Sequence, residues 1–417
     1  MVVKIFANNF RGFRELNIDM DKNIFLVGDN SSGKSSILHL ITYVYRSELL
    51  GSPRLDDDHN VYRYDFFSPY FDFDDVTIGF ISTRKKKQNA RVITFRKKPN
   101  LASPEVIRFT TVSGGKRLTF LKRGTKILYK YTDIGTADQK ILREIHTETT
   151  GFSKMPTDRD EEHQDISSPA FAVSLLSDRA HDSKLLELVL GTAAVALPSV
   201  VNSGPVRGLP EPFYSLERKV KSSGAHFAAM WHDLNSEQEP KAVEAIRKFG
   251  RDSLLFEDIS VEKISKRVEN SPLTVTVTRQ GKRFLINQVG VGVSQVIPII
   301  IESLFYNLSG RDSLLLLQQP ELHLHPIAQA AMGEFLFSMS KDRPRYVVET
   351  HSDFLVDRFR ANIKESSGKS SARILFCQNS EDGNSCSAIE VSDDGEIVNP
   401  PENYKEFFVN ELLRTMF

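Results

Sequence analysis

Apolar residues along the chain follow two patterns. Toward both ends, short unbroken apolar runs alternate with stretches of helical period, while in the middle β-like runs follow one another directly. At the start, Val2–Ala7, Arg14–Ile18 and Asn23–Val27 predict strands, the third built on Ile24-Phe25-Leu26-Val27, a run apolar on both faces. Ser35–Tyr45 then has helical spacing. From Ser294 onward the pattern predicts helix Ser294–Leu308, strand Ser313–Leu317, helix Pro326–Ser340, strand Tyr346–Glu349, helix Phe354–Ala361 and strand Arg373–Cys377. That alternation predicts crossover units on a parallel sheet.

Between the ends, Thr77–Ser82, Arg91–Arg96, Glu105–Thr111, Leu118–Leu121 and Lys126–Tyr131 are separated by Gly, Pro and Lys clusters and predict an antiparallel meander. Residues 133–195 read as mostly helical, with a charged loop at 154–166, and have the character of an insertion. Residues 51–75 and Asn202–Tyr214 read as loops and Lys241–Phe249 as a helix. Leu273–Thr278 and Lys282–Ile286 read as a hairpin around Gln280-Gly281. The chain shows no repeat and no sustained heptad.

Composition narrows the partners. A chain of 417 residues can form two or three packed units. Its 54 basic and 54 acidic residues cancel, which argues against a surface that is wholly a nucleic-acid magnet but leaves room for a local basic groove. Arg84-Lys85-Lys86-Lys87, Arg91, Arg96-Lys97-Lys98 and Lys116-Arg117 make the meander basic. A solvated hairpin face is the plain reading of such a run, and contact with a phosphate backbone or an acidic protein the sharper one. Cys377 and Cys386 are too few for a disulfide framework and lack metal-ligand spacing, so a reduced, cytoplasmic chain is expected. Met1–Phe6 reads as a strand rather than a signal peptide, and no uninterrupted apolar run is long enough to span a membrane.

The chemistry begins at Gly28-Asp29-Asn30-Ser31-Ser32-Gly33-Lys34-Ser35, a full G-x-x-x-x-G-K-[ST] phosphate loop set between an apolar strand and a helix. Its glycines let backbone N–H groups turn inward around phosphates, Lys34 reaches the β/γ oxygens, and the Ser35 hydroxyl suits Mg²⁺. A bound nucleoside triphosphate is expected. Three further segments sit where strands or helices end. Leu314-Leu315-Leu316-Leu317-Gln318-Gln319-Pro320-Glu321-Leu322-His323-Leu324-His325-Pro326 delivers polar side chains from a buried strand, and Tyr346-Val347-Val348-Glu349-Thr350-His351-Ser352 does the same. Gly290-Val291-Gly292-Val293-Ser294-Gln295 puts small residues at a helix N-terminus, a second anion site.

In this order the four motifs resemble the ABC-type ATPases of the RecF/SMC/OLD group, and within it the stand-alone ATPases of bacterial anti-phage systems (PARIS- or Septu-like). Asn9-Phe10-Arg11-Gly12-Phe13 matches that group's N-terminal element, and Gly204-Pro205-Val206-Arg207-Gly208 resembles its mid-chain Gly-Pro-Leu-Arg segment. The matches cover residues 1–45 and 200–360; Glu-Leu-His-Leu-His-Pro is the most specific. The resemblance implies an α/β fold: an ABC-type ATPase head with a P-loop α/β core, an antiparallel β subdomain and a helical insertion. The implied division is an N-terminal lobe at 1–75, the meander at 76–132, the insertion at 133–200, a C-terminal lobe at 201–378 and a tail at 379–417. It also implies ATP and Mg²⁺. Gly28, Asn30, Ser31, Ser32, Gly33, Lys34, Ser35 and Ser36 would hold the phosphates, with Ser35 and Gln318 on the metal. Gly290, Gly292, Ser294 and Gln295 would form the signature loop that meets the γ-phosphate held by another subunit. His351 would sense that phosphate, and Arg11 would couple nucleotide to subunit movement. A split site of this kind implies a head-to-tail dimer with ATP at the interface.

One departure matters. Where the group's strand ends in an acid for Mg²⁺, often followed by a second acid that activates water, this chain has Gln318 and Gln319. Glutamine can ligate Mg²⁺ weakly or position a water, but it is no general base. Glu321 and Glu349 remain, and Glu321, leaving the same strand, is the better candidate for a catalytic set with Gln319 and His351. A substitution that traps ATP and a naturally slow hydrolase both fit, and both predict low turnover. His323 and His325 alternate with Leu322 and Leu324 and read as packing rather than a metal pair. Trp231 reads as core, and Asp56-Asp57-Asp58 as solvated. Asp382 and Asp393-Asp394 lie in Gly/Ser-rich loops without the strand-borne Asp-x-Asp of a nuclease, so a separate effector is expected. The resulting expectation is a slow ATPase that serves as sensor or scaffold for an effector, such as a nuclease, in anti-phage defence. The rival is a RecF-like DNA-maintenance clamp. A transporter subunit ranks lower, because Glu-Leu-His-Leu-His-Pro is foreign to those subunits. In this scheme the block 75–195 is the specificity module and the two ends are the engine.

Overall fold

The computed structural model describes residues 1–46, 75–85, 87–97, 104–136, 138–154, 197–204, 208–216, 225–236, 239–265, 267–341, 344–366, 370–404 and 406–407. Asp56-Asp57-Asp58, Lys86, Lys98, most of the expected insertion and the middle of the Gly-Pro-Val-Arg-Gly segment lie outside them. The chain divides into two compact units, the first comprising Met1–Asp21, Asp29–Leu197 and Gln378–Cys386, the second Lys22–Gly28, Pro198–Cys377 and Ser387–Phe417.

In chain order the elements begin with β1 (Val2–Phe10), β2 (Phe13–Asp19), β3 (Asn23–Gly28) and α1 (Lys34–Tyr45). Then come β4 (Asp75–Arg84), β5 (Lys87–Arg96), β6 (Glu105–Ser113), β7 (Lys116–Arg123), β8 (Lys126–Asp133), α2 (Gln139–Thr147) and β9 (Ser153–Lys154). The chain goes on through β10 (Ser199–Ser203), α3 (Phe227–Ser236), α4 (Pro240–Ser253), β11 (Asp258–Lys263), β12 (Leu273–Arg279), β13 (Lys282–Leu285) and α5 (Val291–Leu308). It closes with β14 (Ser313–Gln318), α6 (Pro326–Met339), β15 (Arg345–Glu349), α7 (Asp353–Glu365), β16 (Ala372–Ser380), β17 (Gly383–Val391) and β18 (Ile397–Val398).

The first unit is an antiparallel sheet in the order β2-β1-β4-β5-β6-β7-β8-β9. Its hairpins are tight: Phe10 pairs with Phe13 across Arg11-Gly12, and Ser113 with Lys116 across Gly114-Gly115. Phe6, Ile81, Ala90, Val92 and Val112 form a core with Leu142 of α2. Asp138 caps that helix by accepting from Ile141 N. At its far end the buried His146 ring takes a hydroxyl on each nitrogen, Thr94 Oγ1 at 2.7 Å and Thr110 Oγ1 at 2.8 Å. Arg108 donates to the carbonyls of His146 and Glu148, so the end of α2 is tied to the strands by polar contacts as well as by packing.

The second unit holds parallel strands in the order β10-β14-β15-β3-β16 and a separate antiparallel sheet β11-β12-β13. β3 and the leucines of β14 are fully buried, as strands of a covered parallel sheet must be. The large core joins Phe25 and Leu315 to Trp231, Ile297, Leu336 and Phe359. Trp231 is buried as expected and donates from its indole N–H to Ile259 O at 3.3 Å. Among the described residues one helix, α5, is long and apolar enough to cross a membrane; 72% of it is buried inside the protein, which its place in this core explains.

The α/β class is therefore as expected: parallel strands alternating with helices in one unit and an antiparallel sheet in the other. Some elements differ from the sequence reading. Ser199–Ser203, partly assigned to a loop, pairs in parallel with β14 because Val200 and Val201 extend its apolar edge. Strand β11 and helix α3 also add to the elements the pattern predicted. Residues 383–391 are strand, with Asn384 paired to Phe13 in the first unit and Glu390 paired to Val398 in the second.

Candidate nucleotide-binding site

Parallel register fixes which residues end the strands of the second unit together. Ser203 pairs with Leu317, Gln318 with Glu349, Glu349 with Leu26, and Cys377 with Gly28. Ligands of open α/β sheets bind at this carboxyl edge. Gly28 has φ 142°, and a Cβ there would lie 1.8 Å from Cys377 O, so the exit of β3 accepts glycine alone.

From Gly28 the chain runs directly into the phosphate loop, whose remaining residues belong to the first unit. Ser31 and Gly33 are both left-handed, with φ 63° and 92°. At Gly33 a Cβ would fall 2.5 Å from the Phe13 ring and 2.7 Å from Asn384 Nδ2. Asn384 N in turn donates to Gly12 O at 2.8 Å, so Phe13 and Asn384 together shape the loop's last turn. Lys34 is buried and its Nζ donates to Asp29 O at 2.6 Å, an acceptor it shares with Ser32 Oγ at 2.7 Å. Helix α1 starts with no acidic residue in its first turn and no side-chain cap, which leaves N–H groups and the dipole for an anion. Ser35 is exposed there, and Ser36 is buried.

Arg11, at φ 52° in its hairpin, reaches α1 and donates from Nη1 to Ser36 Oγ at 3.2 Å and to His39 Nδ1 at 3.0 Å. Burial, with Arg11 beside it, lowers the His39 pKa to about 4, so the ring is neutral at pH 7 and can accept from Arg11. Because the folded value lies below the ordinary one, the unfolded chain takes a proton that the folded chain refuses as pH falls from 6.5 toward 4. This one group is expected to remove on the order of 3 kcal/mol of stability by pH 4, and buried His146 acts in the same direction. Urea titrations of wild type and His39→Asn between pH 7 and 4 should show a shallower fall in the variant; identical slopes would rule out the assignment.

In the second unit, Gln318 turns its amide NH₂ toward Asn202 Oδ1 at 3.4 Å. Gln319 is left-handed, φ 43°, and its N donates to Glu349 O at 2.8 Å. The turn that follows is closed by Leu322 N to Gln319 O and Leu324 N to Glu321 O, and Glu321 Oε1 accepts from His351 N at 2.8 Å. Glu321 and the His351 loop are thus together, with the His351 side chain exposed. Gly290 and Val291 are exposed at the start of α5, but Ser294 and Gln295 point inward, Ser294 Oγ to Val291 O and Gln295 Nε2 to Gly208 O. Gly292 faces the turn after β14, where a Cβ would sit 2.6 Å from His323 O. His323 and His325 correct the packing expectation. The left-handed His323, φ 66°, turns the chain so that both rings are exposed while Leu324 enters the core.

No group of three His, Cys, Asp or Glu is gathered for a metal among the described residues. The donors at or just past the strand ends of the second unit are oxygens: the Gln318 amide and the carboxylates of Glu321 and Glu349. That set fits Mg²⁺, which binds a protein through few oxygen ligands and takes the rest from phosphate and water. His39 and Asn384 escaped the sequence reading. Of these only His39 left a signal, its i, i+3 spacing from Ser36 on one face of α1.

A strand, a glycine-hinged phosphate loop and an uncapped helix define a P-loop nucleotide-binding protein of the α/β class. Residues 24–357 match AAA_21, described as "AAA domain, putative AbiEii toxin, Type IV TA system". The chain belongs to this AAA-domain family. No curated protein matches it. Similar solved structures include an Smc head bound to the C-terminal winged-helix domain of ScpA (9% identity, TM-score 0.44, covering 93% of this chain and 97% of that one). The SMC head domain from Thermotoga maritima gives 12% identity, TM-score 0.41 and coverage of 94% and 99%. The Pyrococcus furiosus Smc head with an extended coiled coil, bound to the C-terminal domain of ScpA, gives 12%, 0.42, 99% and 100%. Scores of this size add nothing to what the chain's own topology shows.

Proposed function

We propose that the chain is an ABC-type ATPase that binds Mg–ATP, assembles head to tail around two ATP molecules, and hydrolyses them slowly. Lys34 and the loop N–H groups hold the phosphates, Ser35 and Gln318 the metal, and Glu321 with His351 the water side of the γ-phosphate. The observation that carries this reading is an intact phosphate loop in a chain whose strand β14 ends in an amide. Binding is retained where fast hydrolysis is not, so bound ATP acts chiefly as assembly glue. On this reading the protein is a cytoplasmic sensor or scaffold for a separate effector, such as a nuclease, in anti-phage defence. The toxin–antitoxin wording of its family description accords with such a role.

The rival reading, a RecF-like DNA clamp, draws on one observation. At the β4–β5 tip Arg84, Lys85 and Lys87 are exposed, and none makes an ion pair with a described residue. A clamp binds plain duplex with a steep salt dependence, whereas a scaffold co-purifies with the product of a neighbouring gene. Lys85→Glu with Lys87→Glu is expected to spare ATP affinity and, for a clamp, to weaken duplex binding about tenfold or more at low salt. Unchanged duplex affinity together with effector capture would leave the tip a solvated face and favour the scaffold.

A further inference from the structure

Gln329, in the first turns of α6, spans two loops of the second unit with one amide. Its Nε2 donates to Leu324 O at 2.8 Å and its Oε1 accepts from Ser352 Oγ at 2.6 Å. Leu324 ends the turn that carries Glu321, and Ser352 follows His351. Ser352 is also the N-cap of α7, accepting from Leu355 N at 3.1 Å, and is buried. The same two loops are joined a second time by His351 N to Glu321 Oε1 at 2.8 Å. Two parallel bridges constrain the loops far more than one, because a single hydrogen bond still leaves rotation about itself.

We propose that Gln329 is a positioning residue that, through Leu324 O and Ser352 Oγ, holds the Glu321 turn and the His351 loop in fixed relation for γ-phosphate hydrolysis. The inference rests on the ATPase reading given above. The bridge needs a donor at one end and an acceptor at the other on one planar group, which an amide supplies and a carboxylate does not. A carboxylate here would face the Leu324 carbonyl with a second acceptor. Packing does not account for the residue, since Ala328 and Ala331 supply the buried face of this part of α6 and Gln329 is only half-buried.

Single-turnover hydrolysis of γ-labelled ATP, with protein in excess, reads the step even when steady-state turnover is slow. Gln329→Leu and Gln329→Glu are each expected to lower the rate constant about 10- to 100-fold while the half-saturating ATP concentration stays within about twofold, the signature of lost orientation rather than lost binding. Ser352→Ala should produce part of the same loss, and the double variant Gln329→Leu/Ser352→Ala little more than the larger single one. Wild-type rates in both Gln329 variants would overturn the proposal, as would additive losses in the double variant. A fall in rate matched by an equal loss of ATP affinity and of thermal stability would also overturn it, by showing a merely structural role. If the wild type shows no hydrolysis that depends on Lys34, the ATPase reading itself fails and the proposal with it.

Discussion

Replacing Lys34 by alanine is expected to remove ATP binding from the reach of isothermal titration. The side chain is 4% exposed and rests its ammonium on Asp29 O, inside the loop that would wrap the phosphates. Charge-assisted hydrogen bonds to a polyphosphate contribute roughly 1.5–3 kcal/mol each, and in the proposed role the lysine would bond two phosphate groups, so its loss should weaken binding about 100-fold or more. The fold should survive, because Ser32 Oγ and Ser32 N still serve Asp29 O. A Lys34→Ala protein with wild-type melting behaviour and undiminished ATP affinity would sink the phosphate-loop assignment.

Turnover is the second large effect. A positioned general base contributes about 10²- to 10⁴-fold, and neither Gln318 nor Gln319 can act as one. Wild-type turnover is expected to be well below about one per second. Glu321→Ala should lower it about 100-fold further, since it removes the carboxylate beside the His351 loop. Gln318→Glu should raise it if, as proposed, this side chain faces Mg²⁺, because a carboxylate is the stronger ligand. Steady-state phosphate release for the three proteins at saturating Mg–ATP decides the matter. A wild-type rate of many per second, or an unaffected Glu321→Ala variant, would show that hydrolysis runs through other groups.

The nucleotide core was legible because its signals are local. β3 and β14 are unbroken apolar runs, and the glycines of the phosphate loop stand where φ and close approach demand them. The hairpins at Gly114-Gly115 and Gln280-Gly281 were legible for the same reason. What the sequence hid is either weakly patterned or distant. β17 is mostly half-exposed, so it has no alternation to read. Asn384 comes to Gly12 and Gly33 only through strand pairing across most of the chain length. The Leu-His alternation at 322–325 suggested packing, but a single left-handed residue, His323, turned both imidazoles outward. The second bridge between the Glu321 and His351 loops was hidden because Gln329 sits on a helix that reads only as apolar.

Sedimentation velocity with ATP–Mg²⁺, with ADP–Mg²⁺ and without nucleotide shows whether ATP binding, rather than its rapid hydrolysis, drives assembly. A larger species is expected with ATP alone, lasting for minutes without a regenerating system and absent in Lys34→Ala. A protein that stays monomeric at saturating ATP, or that forms the same oligomer in all three conditions and in Lys34→Ala, would contradict ATP-driven assembly.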